Sequence, residues 1–115
     1  MATGDPALVE HFRRTDPRYD RRVDVEISSE GQQIRAVSSN VSLGGMFVET
    51  QELLSEQTAV QVRFKVPTQP EPVEVSGEVR WIERGEGQGR PTGMGIRFHG
   101  LRARDVWALN RFFQT

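Results

Sequence analysis

Residues 60–66 read Val60-Gln61-Val62-Arg63-Phe64-Lys65-Val66, and residues 73–81 read Val73-Glu74-Val75-Ser76-Gly77-Glu78-Val79-Arg80-Trp81. In each run the apolar or small side chains fall at every second position, the period of a strand with one face buried. Pro67 stops the first run because it has no N–H for a ladder. Thr68 to Pro72 holds two more prolines and forms the turn between the two strands. This reading assigns Trp81 to the same face as Val73, Val75 and Val79, as core or barrel-end packing.

The same period extends outward in both directions. Upstream, Val23, Val25 and Ile27 alternate with Asp24, Glu26 and Ser28. Ser29-Glu30-Gly31 is a turn, and a second strand is predicted over 33–39. Asn40-Val41-Ser42-Leu43-Gly44-Gly45 is a turn-rich break before the apolar strand Met46-Phe47-Val48. Leu53 and Leu54 lie in a connection that packs on the core. Downstream, residues 84–92 hold three glycines and a proline and read as a loop, after which Met94, Ile96 and Phe98 alternate. The period then changes. Val106, Leu109 and Phe113 follow helical spacing, with Trp107 alongside, so a helix is predicted over 103–114. Six short strands followed by one helix point to an all-β fold, a small six-stranded antiparallel β-barrel with a C-terminal α-helix.

Composition bounds what such a barrel can do. The chain has 115 residues, enough for one domain with one core. Its net charge of −1 argues against broad binding to DNA or RNA, which needs a basic surface. Without cysteine there are no disulfides, thiolate metal sites or cysteine nucleophile, and His11 and His99 are too few for a histidine-rich metal site. No nucleophile–base pair or Walker-type loop is present, so no enzyme is expected. The first twelve residues have no apolar run, and no segment approaches a membrane span. A cytoplasmic protein is expected. Residues 1–12 form an N-terminal extension, with Asp5 and Pro6 compatible with a short helix over about 6–12 or with a frayed end.

Two local features rise above this scaffold. Residues 13–22 carry five arginines, Arg13, Arg14, Arg18, Arg21 and Arg22, and Pro17 disfavours helix at Asp16. Arginine donates its fork to the O6 and N7 of guanine, stacks its flat face on rings and pairs with phosphate oxygens. The second feature is the Asn40-x-Ser42-x-x-Gly45 turn. Asn and Ser offer donors and acceptors, and glycines let backbone N–H groups approach an anion. Either feature alone fits a solvated basic linker or an ordinary turn.

Together they resemble a known family. Arg13-Arg14-x-x-x-Arg18, a strand pair, then Asn40-x-Ser42-x-x-Gly45 is similar to the RxxxR and [D/N]xSxxG motifs of the PilZ domain. Gly77-Glu78-Val79-Arg80-Trp81 and Gly93-Met94-Gly95-Ile96-Arg97-Phe98 also resemble PilZ strands, particularly those of a deltaproteobacterial or myxobacterial subfamily. The resemblance covers residues 13–114. It implies a barrel over 23–99, an arginine-rich ligand strap over 13–22 and binding of cyclic di-GMP, with no further cofactor. The residues it implies for the ligand are Arg13, Arg14, Arg18, Asn40, Ser42, Gly44 and Gly45. Arg22 is the alternative partner of Arg18, since Arg18 and Arg22 also spell RxxxR. In this reading a mobile strap orders on the ligand and changes the surface shown to a protein partner, in motility, surface polysaccharide or development. The alternatives are a PilZ-like adaptor that binds protein without nucleotide and, more remotely, a single-stranded nucleic-acid binder.

Overall fold

The computed structural model describes residues 8–9, 16–85 and 89–115. Strand β1 is Leu8–Val9. The barrel strands are β2 (Asp24–Ser29), β3 (Gln32–Val41), β4 (Gly45–Glu49), β5 (Ala59–Phe64), β6 (Val73–Glu83) and β7 (Gly93–Phe98). Strand β8 (Leu101–Arg102) leads directly into helix α1 (Ala103–Phe113). The six barrel strands are antiparallel and close in the order β2-β3-β4-β7-β6-β5, with β5 returning to β2. Closure leaves no barrel strand with an unpaired edge.

Alternation fixes which side chains fill the barrel. Val25 and Ile27 of β2, Val60, Val62 and Phe64 of β5, and Val73, Val75, Gly77 and Val79 of β6 are buried, while the residues between them face outward or sit at intermediate depth. The β2–β3 hairpin turns on Glu30 and Gly31, with φ of 50° and 80°, the left-handed pair of a tight hairpin.

Helix α1 continues the same core through Ala108, Leu109 and Phe113. Its first two turns are tied to the β5–β6 turn, where Gln69 Nε2 donates to the buried Asp105 carboxylate at 2.8 Å and Thr68 Oγ1 donates to the Ala108 carbonyl at 2.6 Å. Trp107, expected alongside the packed face, instead points outward at 66% exposure, because the helix buries positions 105, 108 and 109 around it.

Three further differences have local causes. Within the stretch compatible with a helix, Leu8–Val9 are extended and pair with Arg102 and Leu101, whose backbone edge is open to a strand. Strand β3 runs through Asn40 and Val41, two residues past its predicted end, because the β3–β4 ladder continues beyond a bulge at Ser39. The barrel strand expected from Val23 begins at Asp24, and α1 ends at Phe113 with Gln114 as its cap.

Residues 16–22 lie on the barrel through named bonds. Tyr19 exchanges both backbone hydrogen bonds with Val41 at 2.9 Å, and its ring stacks on Phe113 with centroids 4.1 Å apart. Ser38, fully buried, accepts from the Val23 N–H at 3.0 Å and donates to the Arg21 carbonyl at 2.7 Å. Ser38→Ala leaves both groups without that partner. A loss of about 1–3 kcal/mol is expected, read as a lower midpoint in urea with an unchanged slope. A midpoint equal to that of the unmodified chain would show that water replaces the hydroxyl.

Candidate functional site

The site is made by two bulges. In β3 the extra residue Ser39 shifts the register between Ser38 and Asn40. Inward parity passes from Ser38 to Val41, and Asn40 turns to the outer face opposite Phe47. In β6 the extra residue Arg80 shifts the register between Val79 and Trp81. Trp81 therefore leaves the face of Val79 and turns outward opposite Gly95, at 41% exposure. Phe47 is in turn paired with Gly95. Asn40, Phe47, Gly95 and Trp81 thus form one outer row across β3, β4, β7 and β6.

Glycine at 95 is what lets the row close up. A Cβ there would meet the Trp81 ring, and a Cβ at Gly93 would lie 2.8 Å from the Phe47 ring. With glycine at both positions the aromatic rings lie flat on the strands, and Phe47 and Trp81 stack at 6.2 Å.

Arg18 spans this row. Its Nη1 donates to Asn40 Oδ1 at 2.7 Å, and its guanidinium carbon sits 5.8 Å from the Trp81 ring centroid. Partial burial there lowers the Arg18 pKa from its ordinary value. The Tyr19–Val41 bridge aligns this arginine, because its antiparallel register brings residue 18 alongside residue 42.

The remaining predicted residues divide by environment. Ser42 is buried, accepts from the Gly44 N–H at 3.1 Å and donates to the Gly45 carbonyl at 3.3 Å. The Ser42 N–H also donates to the Gly45 carbonyl, at 2.8 Å, and the Gly44 carbonyl accepts from Phe98. Two N–H groups of the expected phosphate nest are therefore committed inside the turn. Gly45 is buried against β7, where a Cβ would meet the Ile96 carbonyl oxygen. Arg22 pairs with Glu49 at 3.0 Å, away from Asn40. Arg13, Arg14 and His11 lie outside the described residues. His99 Nε2 lies 3.3 Å from Glu78 Oε1, a contact that with Arg80 holds the Glu78 carboxyl below its usual range.

An open cavity of about 800 Å³ lies elsewhere, lined by Asp24, Glu26, Arg35, Glu49, Arg63 and neighbours. Arg63 is already paired with Glu26 and Glu74, and Glu49 with Arg22. The Arg18 row combines an arginine fork, an amide and an aromatic face, and is the better candidate. Among the described residues no group of acids, histidines and cysteines is placed to hold a metal ion. No helix among them is long and apolar enough to cross a membrane.

The sequence reading missed Trp81 as a site residue and Ser38 as an anchor. Ser38 was legible in principle, since it shares the parity of Ile34 and Ala36.

Fold and site together define a class, a small closed β-barrel that carries an arginine strap against its β3–β4 turn. The PilZ domain pattern matches residues 12–114, and the chain belongs to the PilZ domain family, whose members are regulatory receptors and adaptors, not enzymes. Among solved structures it is similar to the Bacillus subtilis inhibitor of motility MotI/DgrA, with 24% identity and a TM-score of 0.72 over 89% of this chain and 48% of that one. It is also similar to the PilZ domain of CeSA from a cellulose-synthesizing bacterium, with 16% identity and a TM-score of 0.61 over 85% of this chain and 95% of that one. The chain spans about half the length of the motility inhibitor, and at these identities both likenesses carry the fold alone. No curated protein matches the chain in sequence.

Proposed function

We propose that this chain is a cytoplasmic receptor for cyclic di-GMP that binds the dinucleotide on the outer row of Asn40 and Trp81. The observation that carries the reading is the 2.7 Å bond from Arg18 to Asn40, which joins the two motifs at one point beside an exposed indole. Arg18 offers its fork to a guanine edge or a phosphate, and Trp81 offers a flat face to a base. Arg13 and Arg14, a few residues before Arg18, complete the cationic grip. Ser42, Gly44 and Gly45 shape the wall that sets Asn40 in place. The resemblance of the β6 and β7 sequences supports a place in the deltaproteobacterial subfamily.

Residues 16–22 are already bonded to β3 and α1, so this part of the strap is in place before a ligand binds. The output passes to a protein partner in motility, surface polysaccharide or development.

Calorimetric titration of the purified chain with cyclic di-GMP, with GTP and cyclic di-AMP as controls, tests the proposal. Selective binding at about micromolar affinity or better is expected. Absence of heat, together with a melting temperature unmoved by excess ligand, would make the chain a nucleotide-independent adaptor.

A further inference from the structure

We infer that the outer face of α1 is a docking surface for a protein segment in which carboxylates flank an aliphatic side chain. The inference rests on α1 alone and stands whether or not the barrel binds a nucleotide. Arg104, Trp107 and Arg111 fall at i, i+3 and i+7 and so share one helix face. Trp107 is 66% exposed, and the only other exposed large hydrophobic among the described residues is Trp81, beneath Arg18. The Arg111 guanidinium lies 5.0 Å from the Trp107 ring centroid. This stacking fixes the orientation of both side chains without burying the indole.

The charge on this face has one sign. The sole acid of α1, Asp105, is 1% exposed and turned toward Gln69, with Arg104 reaching it from outside at 3.6 Å. Every charged side chain that α1 presents to solvent is therefore an arginine. In a chain of net charge −1 this is a local concentration of cations around an apolar surface.

Tryptophan and arginine are the residues most often found at the energetic centre of protein interfaces. The guanidiniums select carboxylates, and the indole selects an aliphatic group between them. A single-stranded nucleic acid would instead need a track of successive aromatic platforms, and α1 offers one indole.

The test is a titration of the isotope-labelled full chain, followed by the indole N–H resonances. The probe is a short blocked peptide of alternating glutamate and leucine, with the glutamine–leucine peptide and oligothymidylate as controls. The Trp107 resonance is expected to move with the acidic peptide while the Trp81 resonance stays in place. Added salt should weaken the binding. Trp107→Ala and Arg111→Gln should each lose at least about tenfold in affinity, with melting temperatures close to that of the unmodified chain; Arg104 is left in place because it pairs with the buried Asp105. These positions are exposed, so the variants should fold, and two independent variants guard against a misfolded one.

Four results would overturn the inference. They are a Trp107 resonance unmoved by the acidic peptide, equal binding of the glutamine peptide, unchanged affinity in both variants, and a response to oligothymidylate in place of the peptide.

Discussion

Arg18→Ala is expected to lower the affinity for cyclic di-GMP by tenfold to a hundredfold, about 1.4–2.8 kcal/mol, with little change in melting temperature. The side chain is exposed and its partner Asn40 is only half-buried, so the folded state loses little. The bound state loses the charged donor that stands between the amide of Asn40 and the ring of Trp81. Arg18→Lys should recover only part of the loss, because an ammonium has no fork and stacks poorly. A guanidinium is not deprotonated in proteins, so this contribution should not vary between about pH 5 and 9. Calorimetry on the unmodified chain, these two variants and Arg14→Ala gives the comparison. Affinity unchanged in both Arg14→Ala and Arg18→Ala would reject this site.

Gly45→Ala is expected to be among the most damaging single-methyl changes in the barrel. The new Cβ would meet the Ile96 carbonyl oxygen, with the Ile96 carbonyl carbon at 3.1 Å and the Arg97 Cα at 3.2 Å. All three atoms belong to the backbone of β7, which pairs with β4 at this point. No rotamer relieves the contact, so the two strands must separate. A loss of about 3 kcal/mol or more is expected, with a fall in melting temperature of about 10 °C or more. Gly95→Ala provides the contrast. The three atoms nearest its Cβ all belong to the partly exposed Trp81 ring, which can swing outward, so stability should fall less while the indole face is lost. If Gly45→Ala melted like the unmodified chain yet bound poorly, Gly45 would be a ligand contact and not a packing requirement.

The barrel was legible because period-two alternation is a consequence of closing a sheet around one core. Val23 to Ile27, Val60 to Val66 and Val73 to Val79 needed no tertiary information. The candidate site was legible only in part, because it depends on two places where that period breaks. A bulge adds one residue and reverses the parity of everything after it, and neither Ser39 nor Arg80 carries a side chain that announces one. Trp81 was therefore assigned to the core side of its strand, and Asn40 to a turn when it lies in β3. Trp107 is a different case. Helical spacing shows that some face is apolar, but only the packing of Asp105, Ala108 and Leu109 decides that Trp107 lies off it. Arg18 was identified by motif. Its contact with the indole follows from the β6 bulge and had no local signal.

The strap segment 18–22 sends successive side chains to different places. Arg18 reaches the outer row, and Tyr19 stacks on Phe113. Arg21 donates to the carbonyls of Phe113 and Thr115 at 3.1 Å, and Arg22 reaches Glu49. The end of α1 and the barrel row therefore share one short piece of backbone. Thermodynamic reciprocity follows from that sharing. Whatever factor a ligand at Arg18 applies to the docking of the helix end, a molecule gripping the helix must apply to the ligand. Tyr19 and Arg21 are positions in this segment where the factor can be tested, since neither belongs to the outer row or to the Arg104–Trp107–Arg111 face.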